Sequence, residues 1–359
     1  MKKILFLILL IISIISLVKG IENALSVNGS QDFQWSATVL FLDKINPYEY
    51  FLNGNTENRI ILMQLPVYSH LTYILFVPFA FFDWFTAKLL WCLVNISASI
   101  FCIFFLSNRS DIDIYGKFIL LFLFLSSTPF RNTLGNGQHS ILVLLFFSLL
   151  LTEKKKNFFF IGISYFKYSF MPLMAVFLFF KYGIRKVIIS FFSHILGWLF
   201  FSFFLKENIF YTLIQPLIVV HNNGFAFNLA TGDIFTVINF LSSSKIFSYF
   251  VVLCIIFILS NVISKKKNLF QILSLLSVGS LLVLPHLIYD YVLLLPALIF
   301  FWKNNKNLVS NIGMLIILYF WLGLRLLAIF FDINLAVFTI LNLFLLIVLF
   351  CSIYNQSYK

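Results

Sequence analysis

Five short segments of a chain that is 61% apolar carry polar and ionisable side chains that could do chemistry. They are Asp32, Gln138–His139, Lys167, His221–Asn228 and His286–Tyr291. An ionised carboxylate can take a proton from a hydroxyl group, and an ammonium group can stabilise an anion that leaves during a reaction. Ionisable groups at membrane depth are costly unless they are solvated or paired. We therefore treat these segments as candidate functional sites.

The composition excludes most classes of protein other than a membrane protein. Only 11% of the 359 residues are charged, against roughly 25% in soluble domains. The low charge excludes disorder, and the glycine and cysteine contents exclude collagen and disulfide scaffolds. The four cysteines lie in apolar runs without paired spacing, so we expect packing residues and no metal or redox site. The sequence thus predicts an all-α polytopic membrane protein.

The apolar runs predict about 10–12 transmembrane helices at ~20 residues per span. We expect a single integral-membrane domain over 1–359, with an uncleaved first span at its start. Its parts are the first span (4–19), a large external loop with interfacial helices (20–83), a group of spans (84–205), a second external loop (206–245) and the C-terminal spans (246–353).

The stretch 157–181 is predicted to be a broken pair of short helices. It is too short for two full spans, and basic residues flank it on both sides, at 154–156 and 181–186. One straight span would put a basic flank outside. Two helices, 157–166 and 169–181, that meet near Lys167 keep both flanks on the cytoplasmic side. Such breaks persist where they line an enclosed cavity.

This topology explains the net charge of +12. It collects most lysines and arginines on the cytoplasmic side, together with both chain termini, as the positive-inside rule requires. We therefore expect no nucleic-acid partner. All five polar segments fall on the opposite, outer side, where we expect them to share one cavity.

The first three segments also have structural interpretations. Asp32 precedes an apolar helical pattern and could be its N-cap. Gln138 and His139 could likewise cap the span that follows them. The ammonium group of Lys167 could reach towards lipid headgroups without any role in chemistry.

The remaining segments have structural alternatives as well. His286 and Asp290 are four residues apart and could pair with each other. Residues 221–228 could form an ordinary polar loop. Tyr48 and Tyr68, in the first external loop, could stack on sugar rings or anchor the chain at the membrane interface.

The order of the motifs resembles glycosyltransferase family 87, in the GT-C superfamily of polyprenol-phosphate-sugar-dependent transferases, whose best-known members are mannosyltransferases. The resemblance covers about residues 1–302. It rests on Asp32, Asn46-Pro47-Tyr48, Pro66-Val67-Tyr68, Gly137-Gln138, "GISYFKYSFMP" around Lys167, and "LPHLIYDYVLLLP" near the end.

The resemblance implies a GT-C type fold and assigns roles to individual residues. Asp32 corresponds to a general base, Lys167 to a lysine near the donor phosphate, and Gln138 to the cavity wall. Histidine often stands directly before Tyr291 in the family pattern, but this chain has Asp290 there. His286, one turn away, then either supplies the imidazole or that contact is missing.

The candidates form two groups, and those without a family role are assigned by their expected position near the cavity. The donor-phosphate group is Lys167, Gln138 and His286. The substrate-binding group is Tyr48, Tyr68, His139, Asn222, Asn228, Asp290 and Tyr291. No metal ligand and no cofactor are expected, because a single cation can suffice for a monophosphate.

The resulting hypothesis is a polyprenyl-phosphate-sugar-dependent glycosyltransferase of the bacterial inner membrane. It would move a hexose or pentose, with mannose favoured, to a hydroxyl of a lipid, glycan or protein acceptor on the outer face. The alternative is a transporter or lipid flippase. That function requires a cavity open to both sides, whereas the polar residues cluster on one.

Overall fold

A computed structural model of the chain describes residues 2–152, 157–222, 232–305, 307–323 and 335–356. Every regular element in these ranges is helical. The first α-helices are α1 (Lys2–Leu25), α2 (Trp35–Leu42), α3 (Pro47–Leu52), α4 (His70–Ala80), α5 (Trp84–Arg109), α6 (Ile114–Ser126), α7 (Thr128–Gly135), α8 (Ser140–Ser148) and α9 (Asn157–Ile163). They are followed by α10 (Met171–Tyr182), α11 (Ile184–Leu205), α12 (Ile209–Asn222), α13 (Ile234–Ser242), α14 (Lys245–Ser264), α15 (Leu269–Val283), α16 (Leu295–Lys303), α17 (Leu308–Leu318) and α18 (Leu335–Asn355).

Five of the described helices are long and apolar enough to cross a membrane: α5, α11, α14 and the segments Phe6–Leu25 and Ala336–Asn355. Helices α6 and α7 pass the same test together but are bent by 56°. In the most apolar 18-residue stretch of each of these five helices, only 17% to 39% of the residues are buried. Apolar surface on this scale needs a lipid environment. The prediction of an all-α polytopic membrane protein is confirmed, while the number of 10–12 spans stays a prediction.

The helix break predicted at Lys167 is confirmed. Helix α9 continues as a 3₁₀ turn to Phe166, and a second 3₁₀ turn, Tyr168–Phe170, leads into α10. Between them Lys167 adopts an extended conformation, with φ −95° and ψ 93°. Pro172 lies in the first turn of α10, where its missing N–H costs no hydrogen bond.

The expected loops contain more helix than the sequence pattern predicts. Helices α12 and α13 lie within 206–245, and α1 continues past residue 19 to Leu25. An ion pair of 3.1 Å between Lys19 and Glu22 supports the added turn of α1. In α12, Pro216 has no N–H to offer the Thr212 carbonyl, and His70 Nε2 lies 2.9 Å from that oxygen instead.

Helix α15 lies at the centre of the fold. Every residue from Phe270 to Val283 is buried, and α15 packs against α10, α14, α16 and α18. The chain after α15 forms a 3₁₀ segment, Ile288–Leu294, which contacts α7, α8 and α15. The central packing therefore fixes this segment beside the start of α8. The three lysines at 154–156, which we expect on the cytoplasmic side, lie outside the described residues.

Candidate active site

Asp32 lies in the segment between α1 and α2, which is bound to the end of α7 through its backbone. The Ser30 N–H donates to the Gly135 carbonyl at 2.8 Å, and the Asp32 N–H donates to the Asn136 carbonyl at 3.0 Å. Helix α2 begins at Trp35, and its N-cap position is Gln34. Asp32 therefore does not cap α2.

Gly137 allows this close approach. Its φ is +66°, and a Cβ added there would lie 2.8 Å from Phe33 Cβ and 3.2 Å from Ser30 Cα. The Gly137 carbonyl accepts a hydrogen bond of 3.0 Å from the Trp91 indole. Glycine is the residue that adopts this conformation without a steric penalty.

We expect Gly137→Ala to lower the free energy of unfolding by roughly 1–3 kcal/mol through backbone strain, with a further loss from the contact with Phe33. Gly54→Ala is the matched control, because Gly54 also has a positive φ, +92°, but has no atom within 4 Å of an added Cβ. Chemical or thermal unfolding of both variants in detergent measures the difference. Equal losses in the two variants would show that the contact with Phe33 contributes nothing.

The side chain of Gln138 binds the Asp32 carboxylate. Gln138 is fully buried, and its Nε2 donates to Asp32 Oδ2. Its Oε1 has no hydrogen-bond partner among the described residues. Gln138 therefore does not cap α8, and its Nε2 orients the carboxylate that the sequence singled out as a base.

The environment of Asp32 raises the pKa of its carboxyl group to about 6. Burial is the main cause, since it penalises the charged form, and the negative charge of Asp290 adds to it. The positive charge of Lys167 and the hydrogen bond from Gln138 act in the opposite direction. A carboxylate with a pKa near 6 is ionised at neutral pH and is a stronger base than an ordinary aspartate.

Lys167 forms a buried ion pair with Asp290. Its Nζ donates to Asp290 Oδ1 and, at 2.9 Å, to the Ser140 hydroxyl. The ammonium group also lies 4.7 Å from the centre of the Tyr289 ring. Lys167 is only 8% exposed, so its ammonium group is held inside the protein and does not reach towards headgroups.

His286 lies near this pair but does not bond to it. Its Nδ1 lies 3.3 Å from the Leu284 carbonyl, and its Nε2 has no partner among the described residues. The ring packs edge-on against Tyr291 at 5.1 Å. Asp290 instead bonds to Lys167, Ser140 and the Leu287 N–H. The alternative of a His286–Asp290 pair is therefore not what the structure shows.

His139 lies in an aromatic cage directly beside the site. Its ring centre is 5.0 Å from those of Tyr68 and Phe76, 5.5 Å from that of Trp91 and 5.7 Å from that of Phe166. Neither ring nitrogen has a hydrogen-bond partner among the described residues, so His139 does not cap α8 through its side chain. Tyr68 is partly exposed, and its ring stands nearly perpendicular to that of His139, at 80°.

Three predicted substrate-binding residues have no described contact with Asp32 or Lys167. Tyr48 is fully buried, and its hydroxyl donates to the Tyr68 carbonyl at 2.8 Å. Both faces of its ring are thus unavailable to a sugar, and its role is to hold Tyr68. Asn222 is exposed at the end of α12. Asn228 lies outside the described residues.

The sequence analysis missed Ser140. Its hydroxyl donates to Asp290 Oδ1 and accepts from Lys167. A small hydroxyl residue at the start of a helix looks like an ordinary capping residue, which conceals this role. Its position two residues after Gln138 is the one signal that could have identified it.

No group of three metal-ligating side chains occurs in the part of the chain that the structure describes. The site is instead a carboxylate, Asp32, and an ammonium group, Lys167, whose charges affect each other. Such a pair can accept a proton and stabilise an anion.

Comparison with known families agrees with this chemistry. The model of glycosyltransferase family 87 matches residues 67–285, which is more than half of the chain. The chain belongs to glycosyltransferase family 87. Searches of curated proteins and of solved structures find no match. The family match covers Gln138 and Lys167 but ends before His286 and begins after Asp32. Family membership and the long apolar helices together make this protein a multi-pass membrane glycosyltransferase. Because the match leaves out Asp32 and His286, the roles of these residues depend on the geometry of the site.

Proposed function

We propose that this family 87 protein transfers a hexose or pentose, with mannose favoured, from a polyprenyl-phosphate donor to an acceptor hydroxyl. The observation that carries the proposal is the proximity of the Asp32 carboxylate and the Lys167 ammonium group, each bound by residues of the Gly137–Ser140 segment. The reaction needs one group of each kind: a base for the acceptor and a cation for the leaving phosphate.

In this proposal Asp32 takes the proton of the acceptor hydroxyl as its oxygen attacks the anomeric carbon. The bond between that carbon and the phosphate oxygen breaks, and the phosphate leaves with the electron pair. Because the phosphate gains charge, the Lys167 ammonium group stabilises the transition state more than the bound donor. Direct displacement inverts the anomeric configuration of the sugar.

Lys167 and His286 each have an atom suited to bind the donor phosphate. An ammonium group has three N–H donors, and Lys167 uses two of them for Asp290 and Ser140. The third, together with His286 Nε2, would bind the donor phosphate, with Gln138 beside them. The partly exposed ring of Tyr68 would line the sugar site, and the fully buried rings of His139 and Tyr291 would support the site from behind.

An apolar groove supports a lipid-linked donor. It has a volume of 570 Å³ and lies between α4, α5 and α8, with Phe79, Val94, Phe101 and Leu142 in its wall. Phe79 contacts Phe33, the residue after Asp32, with ring centres 5.6 Å apart. A groove lined without ionisable side chains, whose wall contacts the residue after the candidate base, suits a prenyl chain better than a nucleotide.

The proposed reaction takes place at the outer face of a membrane. The enzyme would lie in the bacterial inner membrane with both termini in the cytoplasm, and Asp32 would face the outer side. Its partners would be membrane lipid, the polyprenyl-phosphate sugar and a lipid, glycan or protein acceptor. It would need no metal or other cofactor, since Lys167 supplies the positive charge.

The pH dependence of sugar transfer should report the pKa of Asp32. Because the base must be ionised, we expect kcat/KM to fall as the pH decreases through about 6. Gln138→Leu removes a hydrogen bond that lowers this pKa, so the acid limb should move to higher pH. Gln34→Leu is the control, since Gln34 Nε2 bonds at 3.3 Å to the Asp32 carbonyl and not to its carboxylate. An unchanged acid limb in Gln138→Leu would contradict the assignment of Asp32 as the base.

The donor class can be tested with purified protein in native membrane lipid. Radiolabelled polyprenyl-phosphate sugars should transfer their sugar to a crude membrane acceptor, and nucleotide sugars should not. Transfer from nucleotide sugars alone would overturn the proposed donor.

A further inference from the structure

Both oxygens of the Asp290 carboxylate are occupied by the protein itself. Asp290 is 1% exposed in the 3₁₀ segment Ile288–Leu294. Its Oδ1 accepts hydrogen bonds from Lys167 and Ser140, and its Oδ2 accepts from the Leu287 N–H at 2.9 Å. A carboxylate with this set of partners has no free face for a sugar hydroxyl.

The partners of Asp290 meet at one point although they are far apart in the chain. Lys167 lies at the break between α9 and α10, and Ser140 is the first residue of α8. Asp290 is fixed by α7, α8 and α15, which pack on its 3₁₀ segment. It therefore fixes the ammonium group relative to the rigid centre of the fold.

Without Asp290 the ammonium group of Lys167 would lose the carboxylate to which it bonds, and Asp32 would act on it through charge alone. The other contacts of the ammonium group are the Ser140 hydroxyl and the rings of Tyr289 and Phe170, at 4.7 Å and 5.4 Å. A buried charge that loses its partner moves towards solvent or loses its proton. In either case it would no longer meet a donor phosphate in the right place.

We propose that Asp290 is a positioning residue that acts on the reaction only through Lys167, with Ser140 as the second support of the same ammonium group. This inference rests on the proposed function. It reassigns Asp290 from the substrate-binding group, where its place near the site had put it.

A double-mutant cycle tests the inference, because residues that act through one another have non-additive effects. Asp290→Asn should lower kcat/KM for the polyprenyl-phosphate sugar by roughly 10–100-fold through misplacement of the cation. Lys167→Met should lower it further. The double variant should be no slower than Lys167→Met alone. A rate reduced by the product of the two single effects would show that Asp290 contacts the substrate directly, and would overturn the inference.

Ser140→Ala provides a second cycle in case Asp290→Asn does not fold. It changes no charge and should lower kcat several-fold in the wild-type background but have no effect in the Lys167→Met background. An equal loss in both backgrounds would overturn the inference. The two failures are distinguishable: absence of donor turnover by the wild type overturns the proposed function, whereas turnover with additive effects overturns only the role of Asp290.

Discussion

Replacing Asp32 by asparagine is expected to lower kcat by roughly 10²–10⁴-fold, the usual contribution of a general base. The amide keeps the size of the side chain but cannot take the proton of the acceptor hydroxyl. The backbone bonds from Ser30 and Asp32 to the end of α7 remain, so the segment should keep its place. Initial rates at saturating donor, with circular dichroism and thermal unfolding of the same sample, measure the effect.

Glu57→Gln is the control for this variant. Glu57 is an exposed carboxylate between α3 and α4, so its neutralisation changes the charge of the same region without touching the site. Its kcat should stay within about twofold of the wild type, as is usual for surface substitutions. If Asp32→Asn were also within that range, Asp32 would not be the base, although the chain would remain a family 87 protein.

The second large effect is expected for Lys167→Met. It removes the cation that would stabilise the leaving phosphate, and loss of such a group costs roughly 10²–10³-fold in kcat. Higher donor concentration should not restore the rate, because the lost interaction is strongest in the transition state. Asp290 would be left as an unpaired buried charge, so stability should fall by about 3–5 kcal/mol as well. Rates must therefore be measured on the folded fraction.

Lys88→Met separates loss of this cation from loss of any buried lysine. Lys88, on α5, is 3% exposed, and its Nζ bonds to the carbonyls of Leu25 and Ser26 at 3.2 and 2.9 Å. It lies beside the end of α1 and has no carboxylate partner in the described contacts. We expect it to lose stability with little change in kcat. A similar loss of kcat in both variants would contradict a specific role for Lys167.

The break at Lys167 was predictable from the sequence because several local constraints coincide there. Residues 157–181 have basic flanks, contain a proline and are too short for two full spans. The place of Asp32 was predictable in part, since a polar residue follows the first apolar run. These signals depend on composition and nearby spacing, which a single sequence contains.

The partners of Lys167 could not be predicted in the same way. Asp290 is 123 residues away, and Ser140 is 27 residues away. Their meeting depends on how α8, α15 and the helix break pack, and helical periodicity carries no information on that. The burial of Tyr48 could not be predicted either. Its position in a turn of the first external loop suggests an exposed ring, but tertiary packing buries it.

The helices of 206–245 were missed for a different reason. Polar residues at 206–208 and around 221–228 favour a loop, and Pro216 is a local signal against a helix between them. The carbonyl that this proline leaves without an N–H is bound by His70. A contact from a distant helix thus compensates for a local signal against helix formation.

The products of one reaction test the central claim most directly. Wild-type protein in native membrane lipid is given a doubly labelled polyprenyl-phosphate sugar and a membrane acceptor, and both products are quantified. The account predicts equal amounts of transferred sugar, with inverted anomeric configuration, and free polyprenyl phosphate. Intact donor that crosses the bilayer without bond cleavage would contradict it and favour a flippase.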